Sequence, residues 1–168
     1  EILGKPATFK VRAMVTDEQS GLKSTLSFNV ERTDGIKGPA YVEAEVKGTE
    51  PYMSINAGID EPETGLLGVV TGLRMPLFVL LKGEGSLKNW IGRFSARAGQ
   101  LIDIDSSVEI RSLEELHIDV DGTARFHSGE FPGIIVDFAG PETLFKIKSR
   151  IKEKSELVID SADLKSSN

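Results

Sequence analysis

The 168-residue chain contains no cysteine. Disulfide bonds, cysteine-ligated zinc, iron–sulfur clusters and thiol catalysis are therefore excluded. This absence does not indicate a compartment, because a chain without cysteine is compatible with reducing and oxidising spaces alike. Positive charge is also scarce, since 20 Lys and Arg stand against 26 Asp and Glu for a formal net charge of −6. A general nucleic-acid binder needs a clustered cationic surface, so nucleic acid is not an expected partner.

Sequence motifs of catalysis and cofactor binding are missing as well. The chain has no G-x-S-x-G elbow, no P-loop, no H-E-x-x-H pair and no dinucleotide fingerprint. We therefore expect a protein that is not an enzyme and that has no cofactor.

No apolar run matches a membrane-spanning helix, which needs about 20 residues. The most apolar stretch, Gly65–Leu81, is interrupted by Arg74 and Pro76. We interpret it as two buried strands, Leu66–Thr71 and Leu77–Leu81, on either side of a turn. A lipid-contacting patch is the alternative.

What the sequence does contain is a series of short stretches that alternate apolar and polar residues, separated by many of its 17 Gly and 7 Pro. Such alternation is typical of strands with one face in water, and glycine and proline mark the turns between them. We predict a single all-β domain over residues 1–168 with about a dozen strands. The predicted strands include Ala7–Thr16 and Leu22–Glu31, paired as a hairpin, then Ala40–Lys47, Tyr52–Ala57, Val108–Arg111, Leu116–Val120, Ala124–His127 and Ile134–Phe138.

An internal repeat is predicted between residues 80–103 and 137–160, which align without a gap at an offset of 57 residues. The alignment matches Gly83 with Gly140, and both copies end on an apolar pair followed by Asp. Repeated strand units favour a double-stranded β-helix or a jelly-roll-like sandwich as the fold.

The repeat also decides between two interpretations of Pro141–Lys154. This stretch has a helix-like apolar stripe, but Phe145 and Ile147 also alternate with lysines as in a strand. The other copy contains Gly92 and Gly99, each of which is costly inside a helix. We therefore predict a strand.

Two segments, Pro76–Ser107 and Ser128–Arg150, contain a recognisable set of turn and strand residues. These residues are Gly83, Gly85, Trp90, Gly99, Gln100, Ile102, Asp103, Ser128, Gly129, Glu130, Phe138, Gly140 and Pro141. With them the two segments resemble the altered-inheritance-of-mitochondria family, which is related in fold to the tryptophan RNA-binding attenuation protein. Glu142 departs from the family pattern, because it stands where a second glycine is usual. The resemblance implies a double-stranded β-helix of repeated units, often oligomeric, without an established enzymatic activity, and mitochondrial in its eukaryotic members.

An acidic sheet face is the first candidate site. If Leu101–Asp105 and Leu116–Asp121 pair on one sheet, carboxylates and one imidazole share a polar face. Such ligands suit calcium, manganese or a hydrolytic water; the alternative is a solvated acidic surface. An EF-hand loop is disfavoured, because Val108 stands where its sharp turn needs glycine. The candidate metal-binding residues are Asp103, Asp105, His117, Asp119 and Asp121.

A row of cationic residues is the second candidate site. Positive side chains on one face of a strand suit anionic lipid, phosphate or an acidic protein partner. The alternative is protection of an exposed sheet edge, where lysines discourage aggregation. The row consists of Lys146, Lys148, Arg150, Lys152 and Lys154.

These features lead to one main functional hypothesis and two alternatives. The main hypothesis is a non-enzymatic structural or interaction protein that assembles through β-sheet surfaces, with another protein or with itself as a homo-oligomer. The first alternative is a metal- or small-ligand-binding jelly roll that uses the acidic face. The second is a peripheral lipid-binding module that uses the cationic row and the apolar region Leu66–Leu81. We expect a soluble protein, cytoplasmic if prokaryotic and mitochondrial if eukaryotic.

Overall fold

The computed structural model describes residues 7–18, 21–32, 40–48, 51–63, 75–86, 88–112, 114–127, 140–152 and 156–166. Within these ranges the chain forms ten β-strands and no helix, which confirms the all-β prediction. In chain order the strands are β1 (Ala7–Glu18), β2 (Gly21–Arg32), β3 (Ala40–Lys47), β4 (Tyr52–Glu61), β5 (Leu77–Ser86), β6 (Asn89–Ala98), β7 (Ile102–Ser112), β8 (Leu116–Phe126), β9 (Glu142–Lys152) and β10 (Glu156–Ser166).

The ten strands form one open antiparallel sheet in which the spatial order is the chain order, β1 to β10. Each strand makes its main contacts with the strands that precede and follow it. A jelly roll instead divides its strands between two facing sheets with non-consecutive neighbours. The described strands therefore do not show the jelly-roll or double-stranded β-helix arrangement that the sequence led us to expect. Short turns, as between β5 and β6, favour the meander, because a turn of a few residues can join only adjacent antiparallel strands. β4 and β5, and likewise β8 and β9, are neighbours in the sheet although 15 residues separate them in the chain.

Most of the predicted strands agree with the structure. β1 and β2 form the expected hairpin, β3 has the predicted bounds, and β9 confirms a strand rather than a helix after Pro141. Leu66–Thr71 and Ile134–Phe138 lie outside the described residues.

The strand β8 merges two strands that the sequence had separated at Asp121 and Gly122. Gly122 is extended here rather than part of a turn. A Cβ at this position would lie 2.5 Å from the backbone oxygen of Asp105, 2.5 Å from Cβ of Ser106 and 2.8 Å from Cζ of Phe145. The glycine therefore marks a close approach of the neighbouring strands β7 and β9, a common reason for glycine within a sheet.

The internal repeat does not correspond to a repeated hairpin. In the first copy, a turn joins β5, which ends at Ser86, to β6, which begins at Asn89. The corresponding residues of the second copy, 57 positions later, are Thr143 and Lys146. Both of those residues lie inside β9. The repeat thus remains a prediction at the level of sequence.

The register places most apolar positions of the strands on one face, which we call the apolar face, whereas Met14, Phe78, Ile91 and Leu144 lie on the other. Directly paired residues of antiparallel strands project to the same side, so a row of partners across the sheet shares a face. Four adjacent rows contain no charged residue. They are Phe9, Val30, Ala40, Ile59, Val79, Ala96, Ile104, Ala124, Thr143 and Ser166; Val11, Phe28, Val42, Ala57, Leu81, Phe94, Ser106, Gly122, Phe145 and Leu164; Ala13, Leu26, Ala44, Ile55, Gly83, Gly92, Val108, Val120, Ile147 and Ala162; and Val15, Ser24, Val46, Met53, Gly85, Trp90, Ile110, Ile118, Ser149 and Ile159.

The apolar face is covered unevenly along the sheet. All ten strands of the described ranges belong to the same sheet, so none forms a second layer upon it. Phe9 and Val11 of β1 are each 66 % exposed, and Leu164 of β10 is 68 % exposed, whereas Trp90 of β6 is 1 % exposed. The strands at the two ends of the sheet thus leave apolar side chains in contact with solvent, while the Trp90 ring is covered.

Candidate functional site

The apolar face is the largest chemically uniform surface of the described sheet. Ten strands at about 4.8 Å spacing make it about 43 Å long, and four rows of side chains make it about 20 Å wide. Its geometric area is on the order of 800 Å², of which Trp90 and Ala124 occupy a buried part and Phe9, Val11 and Leu164 an exposed part. Exposed apolar patches mark sites where a partner or ligand binds.

Two of the serine hydroxyls of this face, those of Ser106 and Ser149, bond to the protein's own backbone. The Oγ of Ser149 donates to the carbonyl oxygen of Ile118 at 3.2 Å, and the Oγ of Ser106 lies 3.4 Å from that of Phe94. The backbone N–H and C=O groups of the inner strands are engaged in the sheet ladders. The face therefore offers a ligand or partner mainly carbon atoms and few free hydrogen-bonding groups.

Trp90 lies on β6, one of the two central strands of the sheet, in the fourth row of the apolar face. Its indole lies over two glycines that are paired in register, Gly83 of β5 and Gly92 of β6. A Cβ on Gly83 would lie 2.4 Å from Cζ2 of the ring, and one on Gly92 would lie 2.3 Å from Cη2. An aromatic ring packed over a glycine pair fills the gap that the missing side chains leave in a sheet.

The opposite side of the sheet, which we call the polar face, carries the predicted acidic site. β7 pairs with β8, so all five candidate metal ligands lie on this face as predicted. Their register spreads them along the strands, with Asp105 opposite Thr123, Asp121 opposite Ser107 and His117 opposite Arg111. Among the described residues no group of three or more carboxylate or imidazole side chains is placed to hold one metal ion.

The candidate carboxylates are instead engaged by cationic side chains. Asp103 accepts from Nε of Arg97 at 2.6 Å and lies 2.8 Å from Nε2 of His127. The remaining ion pairs join Asp105 to Arg125 at 3.5 Å, Asp121 to Lys146 at 3.2 Å, and Asp119 to Arg111.

The cationic row follows the polar face of β9, and its charges are matched by acidic neighbours on both sides. Arg150 contacts Glu115 at 3.1 Å and Asp160 of β10 at 2.9 Å. Lys148 lies opposite Asp119 in register. Lys152 ends β9, and Lys154 lies outside the described residues. Since β9 pairs with both β8 and β10, the row does not protect a sheet edge.

A cleft of about 540 Å³ crosses β2 to β5. By alternation, its charged residues project to the polar face. They are engaged by neighbouring side chains: Glu45 contacts Lys23 at 3.0 Å, which lowers the pKa of its carboxyl group, and Glu43 accepts from Asn56 at 3.3 Å. The cleft is also lined by Leu26, Ala44, Ile55 and Gly83, which belong to the third row of the apolar face.

Asp103 is the carboxylate of the predicted acidic site whose pKa is held below its usual range. The main cause is the hydrogen bond from Arg97, followed by that from His127. A carboxyl group with a lower pKa in the folded chain stabilises the fold above its unfolded pKa, and this contribution is lost as the pH falls through its folded pKa.

We expect Asp103→Asn to lower the free energy of unfolding at neutral pH by up to about 1 kcal/mol, the usual range for exposed ion pairs. The difference from the wild type should shrink at acidic pH, where the wild-type carboxylate is protonated. Urea unfolding at several pH values measures both effects. Asp121→Asn, which removes a more exposed ion pair, is the matched control with a smaller expected loss. A deficit that grows on acidification would contradict this assignment.

The sequence correctly predicted that the polar side chains of β7 and β8 share one face of the sheet. It did not predict the apolar face as a candidate binding site. The alternating pattern contained the signal, because no charged residue interrupts the apolar positions of the strands in the four rows. The pattern was interpreted as one side of a sandwich core, which another sheet would cover.

Comparison of the chain with protein-family models, with curated proteins and with solved structures finds no match. The described part of the chain has no helix of the length and apolar character needed to cross a membrane. Function must therefore be argued from the two faces of the sheet.

Proposed function

We propose that this chain is a non-enzymatic lipid-binding protein whose apolar face holds acyl chains. The observation that carries the proposal is the set of four uncharged rows across ten strands, without a second layer of described strands above them. Burial of apolar area yields about 25 cal/mol per Å², so covering even part of this face is strongly favourable.

The chemistry of the face favours an acyl chain over a protein as its occupant. Protein–protein interfaces contain about one hydrogen bond per 100–200 Å², distributed over polar and apolar groups. The apolar face has no charged residue in its four rows, and the hydroxyls of Ser106 and Ser149 bond to the protein's own backbone. A hydrocarbon chain needs no hydrogen bond, and aliphatic side chains such as those of Leu26, Ile55 and Val108 provide the contact it requires.

The polar face supports the same function by remaining in water. Its charges form cross-strand ion pairs, and the cationic row is matched by carboxylates of β8 and β10. The headgroup charge of anionic lipids is therefore not the main attraction in this proposal. The proposed protein therefore differs from a peripheral lipid-binding module, which would bind anionic headgroups through the cationic row.

The test compares two adjacent residues that project to opposite faces. Leu26 lies on the apolar face of β2 and is 45 % exposed, so a charge there is tolerated by the fold; Ser27 lies on the polar face. We expect Leu26→Glu to weaken binding of a fluorescent fatty acid at least about tenfold, since a charge must then be desolvated beside the chain. Ser27→Glu should leave the affinity unchanged. Fluorescence titration measures both.

A failure of the wild-type protein to bind the fatty acid would reject the proposal. Equal weakening by Leu26→Glu and Ser27→Glu would also reject it, because the two changes add the same charge and differ only in the face that receives it.

Self-assembly of several copies is a second candidate function, and the open edges at the two ends of the sheet favour it. Among the described strands, β1 and β10 each pair on one side only, and unpaired strand edges are templates for further strands. Two apolar faces could also pack together as a sandwich of two copies. The family resemblance, with its oligomeric members, points to the same candidate. The Leu26→Glu protein separates the two: it would change the mass in solution if copies covered this face, and the fatty-acid affinity if lipid did.

A further inference from the structure

The outer edge of β1 is the more regular of the two open edges of the described sheet. No described strand pairs with this side of β1, and β1 pairs with β2 along its whole length without a bulge or a proline. β10, at the other end, has a bulge between Ile159 and Ser161. Bulges and prolines are features by which natural edge strands prevent further pairing. β1 therefore lacks a protection that β10 has.

The free hydrogen-bonding groups of this edge belong to alternate residues of β1. The carbonyl oxygen of Leu22 accepts from the N–H of Gly48 at 3.2 Å, so the backbone groups of Leu22 face β3 rather than β1. Leu22 lies opposite Asp17 in the hairpin, and the two form a non-hydrogen-bonded pair. Asp17 and every second residue before it therefore direct N–H and C=O to the open edge. These residues are Phe9, Val11, Ala13, Val15 and Asp17.

The same residues include exposed apolar side chains. Phe9 and Val11 are each 66 % exposed, and Val15 is 68 % exposed. Val79 and Leu81 lie in the same rows as Phe9 and Val11 but on the inner strand β5, and they are only partly exposed. Strands flank them on both sides, whereas β1 is flanked on one side only. A strand added beside β1 would cover its apolar side chains in the same way.

The charges of β1 favour a second copy of the same strand as the partner. β1 carries Lys10 and Arg12 in its first half and ends with Asp17 and Glu18. Two copies that pair antiparallel bring the basic half of each toward the acidic end of the other, whereas parallel pairing would bring like charges together. The charge pattern is therefore complementary to itself in the antiparallel orientation.

We infer that two copies of the chain join through their β1 edges, antiparallel and centred on Ala13. This register sets Val11 opposite Val15 of the other copy and opposes no like charges. A pair centred on Arg12 would oppose two arginines, and a pair centred on Val11 would oppose Lys10 to Arg12. The register centred on Ala13 is thus the one with the longest overlap that avoids both conflicts.

The joined copies form one continuous antiparallel sheet, with the two apolar faces on the same side. The contact is isologous, since each copy uses the same edge, and it occupies both β1 edges. Only the bulged β10 edges remain open, so assembly stops at two copies. This inference does not depend on the proposed function, because a lipid covers the apolar face whereas the second copy extends the sheet.

A cysteine introduced into β1 tests the register directly, because the chain contains no cysteine of its own. Opposed residues of a hydrogen-bonded antiparallel pair have Cα atoms about 5.5 Å apart, a distance that a disulfide can bridge. We expect Ala13→Cys to form a disulfide-linked dimer on mild oxidation. Val15→Cys is the matched control: in this register its two copies lie four positions apart along the strand, about 14 Å. It should run as a single chain on a non-reducing gel.

The mass in solution tests the edge itself. Light scattering of the wild type at micromolar concentrations should give the mass of two chains. Ala13→Pro removes an N–H that faces the open edge, which an edge strand tolerates, and should give the mass of one chain with an unchanged circular dichroism spectrum. Val11→Lys serves if the proline variant fails to fold, and should weaken the dimer at least about tenfold. Leu26→Glu changes the apolar face but not this edge, and should keep the mass of two chains.

A wild type with the mass of one chain overturns the inference, and so does an Ala13→Pro protein that keeps the mass of two. Equal cross-linking of Ala13→Cys and Val15→Cys, or none in either, also contradicts it. If Leu26→Glu reduces the mass to one chain while Ala13→Pro does not, the copies meet through their apolar faces instead. The fatty-acid titration decides the proposed function separately from all of these results.

Discussion

Gly83→Ala is expected to lower the free energy of unfolding by about 3 kcal/mol, at the upper end of the cost of overpacking. The new Cβ would lie 2.4 Å from the Trp90 ring, 2.5 Å from the Cα of Gly92 and 2.6 Å from the carbonyl oxygen of Ile91. Two of these three contacts are with backbone, so rotation of a side chain cannot relieve them. β5 would have to move away from β6. Urea unfolding followed by circular dichroism measures the loss.

Gly92→Ala is the matched comparison. Its two closest contacts, at 2.3 and 2.7 Å, are with the Trp90 ring, and the backbone oxygen of Lys82 is farther away at 3.1 Å. In a Trp90→Leu background we therefore expect Gly92→Ala to cost much less than in the wild type, whereas Gly83→Ala stays costly. A coupling energy of about 0.5–3 kcal/mol is typical of residues in contact. If both alanines lost their cost in the Trp90→Leu background, the backbone contacts of Gly83 would not be limiting.

The strands themselves could be predicted from the sequence, because alternation is a local property. Ala40–Lys47 matches β3 at both ends, and the alternation of Phe145 and Ile147 with lysines correctly outweighed a helix-like stripe. The predicted break between two strands at Gly122 was wrong, because glycine after Asp usually marks a turn. Here it makes room for Phe145, and the need for that room arises only once β8 and β9 are side by side.

The partners of the strands could not be predicted from alternation. Asp121 and Lys146 were assigned to two separate candidate sites, one for a metal and one for an anion. In the structure they lie opposite each other in register and form an ion pair at 3.2 Å. Each charge supplies the counter-charge that the other site was expected to recruit from outside. Pairing between strands is a tertiary property, which no local pattern encodes.

The sequence does not reveal either that the described strands form no second layer over the apolar face. A strand of a sandwich and a strand of a single sheet show the same alternation, because in both cases one face is apolar and the other meets water. The difference lies in what covers the apolar residues. Val11 and Leu164 would be core residues in a sandwich, yet they are exposed at the ends of this sheet. This exposure turns a core pattern into a candidate binding surface.

A proline at either Lys148 or Ser149, two adjacent positions of β9, is expected to lower the free energy of unfolding by about 3 kcal/mol or more. Neighbouring N–H groups of a strand point to opposite sides. Because β9 lies between β8 and β10, Lys148→Pro and Ser149→Pro each remove a ladder hydrogen bond. Among the described strands β10 pairs only with β9. One of the two variants Ala162→Pro and Asp163→Pro therefore removes an N–H that bonds to β9, and the other removes an N–H that faces the open edge of the sheet. That variant should be clearly less destabilising than the other three.

Thermal and urea unfolding of the four proline variants therefore determine where the cationic row lies in the sheet. Two costly prolines in β9, with one costly and one mild proline in β10, identify β9 as an inner strand whose lysines face the carboxylates of β8 and β10. A mild proline in β9 would instead identify it as an edge, and its lysines would then serve to prevent strand-to-strand aggregation. In that case the meander order would be wrong at β9, and the apolar face would not continue through Ile147 to β10.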